Sequence, residues 1–331
     1  MTARTATAIG SRSALAHLLM LAVVAIWGMT FVVVKDALRD IAPQTFNALR
    51  MALAFAVLAL VYRGQWRSLT RQAWLAGAAA GACLATGYFF QTAGLVYTTP
   101  TNSAFLTGLV VVLVPFLATL PGLRAPGSEI PGWNAWLGAL LAFAGVALLT
   151  TPAHSNWARI LLRMNRGDAL TLGCALGFAM HVIVLSRVTR RVPFRQVAML
   201  QIGFAMAFLA LSAAAMQPYG SPSGVTRWSG ALLAALLVTG VLATAVAFSV
   251  QTWAQQILPP ANIAVILALE PVFAWLTAFL LLQERLQFRR AAGATLVLSG
   301  ILSTELLQRW RGRTAAHPDP ETPRAGPIAT R

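Results

Sequence analysis

The sequence predicts an all-α integral membrane protein of ten transmembrane helices, arranged as two inverted-topology five-helix repeats. Three observations carry that prediction. Of 331 residues, 58% are hydrophobic and only 10% charged, against about 45–50% and about 25% in a soluble domain. So few charges cannot cover a water-soluble fold of this size. The apolar residues also fall in ten long blocks, each close to the ~20 residues that a helix needs to cross the hydrocarbon of a bilayer. Finally, the second five blocks repeat features of the first five in the same order.

The blocks are 15–34, 44–62, 73–91, 101–120, 133–151, 168–186, 196–216, 230–250, 261–282 and 291–307. The first follows Arg4 and Arg12 like a secretion signal, but its apolar run exceeds the roughly 7–15 residues of a signal core and lacks a small-x-small cleavage site. It is read as span 1. Residues 1–14 form a short cytoplasmic segment, 15–151 the first repeat, 152–167 a linker and 168–307 the second repeat. Residues 308–331, rich in Pro and Arg, read as a disordered basic tail.

The formal net charge of +16 comes from 24 arginines and the single lysine, Lys35. In a soluble protein that balance points to nucleic acid, but no basic face or aromatic stacking platform can be drawn here. The arginines occupy the gaps between blocks, where they set orientation. With the N-terminus inside, inner segments hold 15 Lys or Arg and outer segments 9. That excess favours both termini in the cytoplasm. Cys83 and Cys174 each lie within an apolar block and read as buried free thiols.

The duplication is legible in three places. "FVVVKDALRDIAP" ends at Pro43 and "HVIVLSRVTRRVP" at Pro193, an offset of 150. "PTNSA" from Pro100 matches "PANIA" from Pro260, an offset of 160. "GALLAFAGVALLT" from Gly138 matches "GATLVLSGILSTE" from Gly293, an offset of 155 that pairs Gly145 with Gly300. Because five is odd, the second copy enters the membrane from the opposite side. Inverted repeats of this kind underlie many secondary transporters, whose site lies near mid-membrane between the copies.

The segments "IWGMTFVVVK" (26–35), "PQTFNALRMALA" (43–54), "FFQTAGLVYTTPTNSAFLTGLVVVLVP" (89–115), "RGDALTLGCALGFAMHVIVLSR" (166–187) and "LALEPVFAWLTAFLLLQE" (267–284) carry a family resemblance. They are similar to the EamA-type, ten-helix branch of the drug/metabolite transporter superfamily, and the similarity covers roughly 15–307. The resemblance implies a central cavity between the halves and movement, often export, of amino acids or other small metabolites across a bacterial inner membrane. The chain departs from the family pattern at Gly177-Phe178, where relatives often have tryptophan. It departs again at Val114, which precedes Pro115 where a small residue is common.

Glu270 is the most informative position, about ten residues into span 9. A charge at a helix centre costs roughly 2.5–3.5 kcal/mol on insertion scales, so it should face a cavity or a partner. It either binds a cationic group or titrates during coupling; the alternative is a structural acid paired with an arginine or with freed backbone. Pro271 deprives the Leu267 carbonyl of its helical donor, and Pro115 does the same to Val111 in span 4. Interrupted helices in corresponding places of two halves point to a transport site. Arg50, in span 2, has three readings: snorkelling to the headgroups, pairing with Glu270, or holding a substrate carboxylate through both arms of its guanidinium.

Further candidates for the substrate site are Trp27 and Thr30 on one face of span 1, Tyr88 and Gln91 ending span 3, and the repeat-related Asn102 and Asn262. The two asparagines serve equally as glue between helices. His181, late in span 6, is either a histidine satisfied by a neighbour or a proton relay. Ala169, Gly173 and Gly177, like Gly77, Gly81 and Ala85, read as small-residue packing ridges. Glu284 reads as one of the interfacial charges at the end of span 9, with a gate at the outer mouth as the alternative.

No zinc-protease H-E-x-x-H, no G-x-S-x-G elbow and no P-loop is present. Enzyme chemistry and ATP hydrolysis are therefore not expected, and no cofactor or metal is called for. The reading is a gradient-driven carrier whose partners are a small-molecule substrate, the lipid bilayer and, if Glu270 or His181 titrates, protons. An uncoupled facilitator and a carrier of a lipid-linked substrate are the alternatives.

Overall fold

The computed structural model describes residues 3–124, 130–150, 165–216, 226–274, 276 and 288–316. Glu284 and most of the linker between the repeats lie outside them. All regular structure among the described residues is helical. Six helices are long and apolar enough to cross a membrane: Ser11–Ala37, Pro43–Val61, Arg71–Tyr97, Arg166–Val188, Phe194–Met216 and Gly230–Ala254. Four shorter apolar helices, Ser103–Thr119, Trp133–Leu148, Pro260–Ala274 and Ala291–Ser303, take the places of spans 4, 5, 9 and 10.

In chain order these are α1 (Ala3–Ala37), α2 (Pro43–Val61), α3 (Arg71–Tyr97), α4 (Pro100–Thr107), α5 (Val110–Thr119), α6 (Trp133–Thr150), α7 (Arg166–Val188) and α8 (Phe194–Met216). Span 8 is α9 (Gly230–Leu237), a π-helical stretch Val238–Val246 and α10 (Ala247–Ala254). Then come α11 (Pro260–Leu267), a helical segment resuming at Glu270, and α12 (Phe288–Ala316). Two ends differ from the sequence reading. Helix α1 starts before its apolar block, and α12 runs past 308 to Ala316. The stretch QRWRGR holds no proline, the first being Pro318, so no ring interrupts the helix at the end of the block.

The glycines show how the halves are related. A Cβ on Gly145 would lie 2.5 Å from the carbonyl oxygen of Gly293, and one on Gly300 would lie 2.6 Å from that of Gly138. Each contact is the other with the repeats exchanged. Since 145 meets 293 while 138 meets 300, α6 and α12 cross antiparallel, as equivalent helices must under a two-fold axis in the membrane plane. The other contacts obey the same exchange: span 2 packs on 7 and span 4 on 9, while 3 on 7 is matched by 2 on 8, and 3 on 6 by 1 on 8. The predicted ridges are packing surfaces. Gly77 and Gly81 press on α8 at Leu200 and Gln201, and Gly177 on Gly87 of α3.

Spans 4 and 9 are both broken, again in equivalent places. The Gly108 amide bonds to Ala104 and that of Leu109 to Leu106; 160 residues on, Ala268 bonds to Ala264 and Leu269 to Ile266. In each case an α-turn tightens to an i→i−3 turn before the helix restarts. The breaks, not the prolines, are repeat-related. Pro115 sits inside α5, beyond the break. Pro271 falls in the first turn of the restarted helix, where a missing N–H breaks no bond. The residue equivalent to Glu270 in the first half is Val110, so the acid belongs to one repeat only.

Buried side chains form two large clusters. One joins spans 1, 4, 5, 6, 9 and 10 with the end of span 8, and the other joins spans 2, 3, 7 and 8 with Leu185 of span 6. Trp27 and Phe178 pack against both. Outward-facing Leu18, Leu60 and Leu211 are 64–71% exposed, which in a bilayer means contact with lipid tails.

Candidate functional site

Between the two clusters lies an open cavity, with about 840 Å³ of empty space when the open space at its mouth is counted. Of the residues singled out from sequence, Trp27, Thr30, Arg50, Tyr88, Gln91, His181, Glu270 and Pro271 line it. Asn262 is buried on α11 and Pro115 on α5, and neither is among the lining residues. The side chain of Asn102 lies outside the described residues.

Arg50 is 3% exposed. Its Nη2 donates to Thr244 Oγ1 at 3.0 Å and to the Tyr88 hydroxyl at 3.4 Å. The guanidinium carbon stands 4.4 Å from the Tyr88 ring centroid, within cation–π range. Its Nε is buried without a partner. Among the described residues no carboxylate comes within ion-pair distance, so pairing with Glu270, one of the three sequence readings, is not what the structure shows. At 3% exposure the side chain does not snorkel either. Glu270 faces the same cavity and makes no hydrogen bond or ion pair to a described residue.

Span 8 explains why Arg50 and Trp27 point where they do. In its π-helical stretch the Thr244 hydroxyl donates to the Thr239 carbonyl, five residues back, at 2.7 Å. The wider turn brings Thr244 to Arg50 and leaves the Ala243 carbonyl to accept from Trp27 Nε1 at 2.7 Å. Isolated π-turns recur at functional sites. Tyr88 is held from behind: Asn47 Nδ2 donates to its carbonyl at 3.0 Å, and Thr92 Oγ1 donates to Asn47 Oδ1 at 3.0 Å.

His181 is 1% exposed and sits in a chain of fixed polarity. The Thr252 hydroxyl donates to Phe248 O at 2.5 Å, so it can only accept from Gln201 Nε2 at 2.9 Å. That turns Gln201 Oε1 toward His181 Nε2, 2.8 Å away. Nε2 therefore carries the proton, and in the neutral ring Nδ1 is an acceptor.

Sequence reasoning missed Phe248, Gln251, Thr107 and Phe31, all of them lining residues. Phe248 is the hub of the aromatic wall, with ring centroids 5.2 Å from Trp27, 6.0 Å from Tyr88 and 5.7 Å from His181. Nothing distinguishes it from other apolar residues of span 8. Gln251 did carry a signal, an amide in a spanning helix one turn after Phe248; its Oε1 is buried without a partner. Phe178 packs edge-on to Tyr88 at 5.3 Å. The cavity thus joins an aromatic wall to a guanidinium, a carboxylate and amide and imidazole groups, the equipment to bind a small polar molecule with an apolar body.

Comparison with known proteins agrees with this architecture. The model of the EamA-like transporter family matches twice, over residues 14–151 and 165–305. An uncharacterized transporter of Archaeoglobus fulgidus is 33% identical over 85% of this chain and 82% of its own length. A second from the same organism is 26% identical over 88% and 98%. A crystal structure shares the fold with TM-score 0.71 and 19% identity, covering 90% of this chain and 99% of that one.

Proposed function

Since the chain belongs to the EamA-like transporter family, we propose that it is a secondary exporter of a small zwitterionic metabolite such as an amino acid. The substrate carboxylate sits on Arg50 and its ammonium on Glu270. The single observation behind this reading is that a guanidinium and a carboxyl group line one cavity without pairing with each other. A buried charge left unpaired is costly, and a ligand carrying both complementary charges removes both penalties together.

The breaks in spans 4 and 9 supply the movement. Each repeat rocks about its own interruption and opens the cavity to one side at a time. Proton coupling is assigned to Glu270, which is emptied of substrate on one side and protonated before the return. The protein resides in a bacterial inner membrane with both termini in the cytoplasm.

Proteoliposomes with an imposed pH gradient, screened against a panel of amino acids and small metabolites, test the proposal. Wild type should accumulate or release at least one zwitterion. Glu270→Gln should exchange substrate without responding to the pH gradient, and Arg50→Gln should lose transport. A Glu270→Gln protein with the full rate and pH dependence of wild type would eliminate the coupling role. Transport of cations or neutral sugars alone would eliminate the zwitterion.

A further inference from the structure

A second site lies at the end of the bundle where the connection after α2 meets the one after α7. Gln196 Nε2 donates to Ser68 Oγ at 3.1 Å and to the Ser68 carbonyl at 3.3 Å. The rings of Tyr62 and Phe194 meet edge-on at 6.4 Å. The two connections and the helix ends that flank them hold Arg63, Arg67, Arg71, Arg187, Arg190, Arg191 and Arg195, and the stretches 62–72 and 186–196 contain no Asp or Glu. Trp66 and Trp74 are 40% and 45% exposed beside them. Exposed tryptophans at helix ends mark the headgroup level of a bilayer, so this arginine collar lies where lipid phosphates lie.

Within the collar is a groove of about 620 Å³ between the start of α3 and the end of α7, lined by Gln72, Leu75, Ala76, Val188 and Val192, with Arg187 and Arg191. Its chemistry is divided. Leu75, 61% exposed, presents an aliphatic surface toward the lipid-facing side of the bundle, backed by half-buried Val188 and by buried Ala76 and Val192, while the two arginines are four residues apart at the end of α7. Arg187 Nη1 is steadied by the Gly122 carbonyl, which leaves its other donors available. A planar guanidinium matches a phosphate through two parallel bonds. A soluble anion would use the arginines and leave the aliphatic surface bare.

We propose that this groove binds an anionic phospholipid, with its phosphodiester held by Arg187 and Arg191 and the upper part of an acyl chain along Leu75, Ala76 and Val188. Basic pockets between transmembrane helices are known lipid-headgroup sites. Because Arg187 also holds Gly122, in the turn that ends the broken span 4, the bound lipid touches an element that must move during transport.

The test uses the full chain, delipidated in detergent and given an equimolar mixture of phosphatidylglycerol and phosphatidylcholine, with retained lipid read by native mass spectrometry. Wild type should retain phosphatidylglycerol several-fold over phosphatidylcholine. Arg187→Gln with Arg191→Gln should lose most of that preference. Arg63→Gln with Arg67→Gln makes the same charge change outside the groove and should keep it. Leu75→Trp fills the groove without altering charge, should also lose the preference, and guards against a double variant that fails to fold. Equal loss in both arginine pairs, or a preference untouched by the groove variants, overturns the proposal. Displacement of the lipid by inorganic phosphate at comparable concentration overturns it too, by making the site a phosphate site. None of these readouts depends on which substrate the cavity carries.

Discussion

Gly28 and Glu270 meet backbone to backbone. A Cβ on the glycine would lie 2.6 Å from the carbonyl oxygen of the glutamate and 2.9 Å from the amide of Ala274. Span 1 therefore presses against the first turn of the helix that restarts after the break in span 9, one residue from Trp27, which lines the cavity. Gly28→Ala must push these segments apart, because the clashing atoms are backbone. Overpacking of this kind costs about 1–3 kcal/mol. Lower thermal stability together with a disproportionate loss of uptake is expected. A variant matching wild type in both would show that this contact does not set the cavity wall.

The reciprocal crossing of α6 and α12 makes a separate prediction. Gly145→Val and Gly300→Val introduce the same clash on opposite sides of the pseudo-two-fold axis. Both should destabilise the protein by similar amounts and leave the affinity of surviving protein unchanged, since neither residue lines the cavity. Thermal unfolding and binding on the same samples check it. Unequal destabilisation would argue against exchange symmetry at this crossing.

Thr244 positions Arg50 through one charge-assisted hydrogen bond. Such a bond is worth about 1.5–3 kcal/mol, so Thr244→Val should raise the substrate KM by roughly tenfold or more. Arg50→Lys should be worse than Thr244→Val, because an ammonium lacks the fork that addresses a carboxylate and Tyr88 together. If lysine restores normal transport, the guanidinium geometry is irrelevant and only its charge matters.

The polarity of the Phe248–Thr252–Gln201–His181 chain is measurable without a substrate. Nitrogen-15 NMR of labelled histidine should show neutral His181 protonated at Nε2. In Thr252→Val the amide of Gln201 loses the hydroxyl that orients it, and a mixture of tautomers is expected. A single unchanged tautomer in that variant would mean that something other than Thr252 orients Gln201.

Several features were legible before any coordinates, because they depend on composition or on short-range order. The ten apolar blocks follow from the length of helix a bilayer requires. The offset of 155 identified Gly145 and Gly300 as equivalents, and small residues spaced by four marked where backbones approach. Glu270 stood out because an isolated acid in an apolar run is costly anywhere but beside a cavity or a partner. The site was legible as residue types, Trp27, Tyr88, His181 and Arg50 among them, but not as an arrangement.

The sequence by itself determined the solvent, the number of spans, the duplication and its inverted sense. Only the tertiary structure decided which helix faces meet. It separated Arg50 from Glu270, put the breaks at 108–109 and 268–269 instead of at the prolines, and made Phe248 the hub of the aromatic wall. The reason is physical. In lipid the outward face of a helix is as apolar as its packed face, so hydrophobic periodicity, which tells inside from outside in water, says little. The wider i→i+5 turns of span 8 leave composition unchanged yet rotate the side chains they carry, and that rotation sets Thr244 on Arg50.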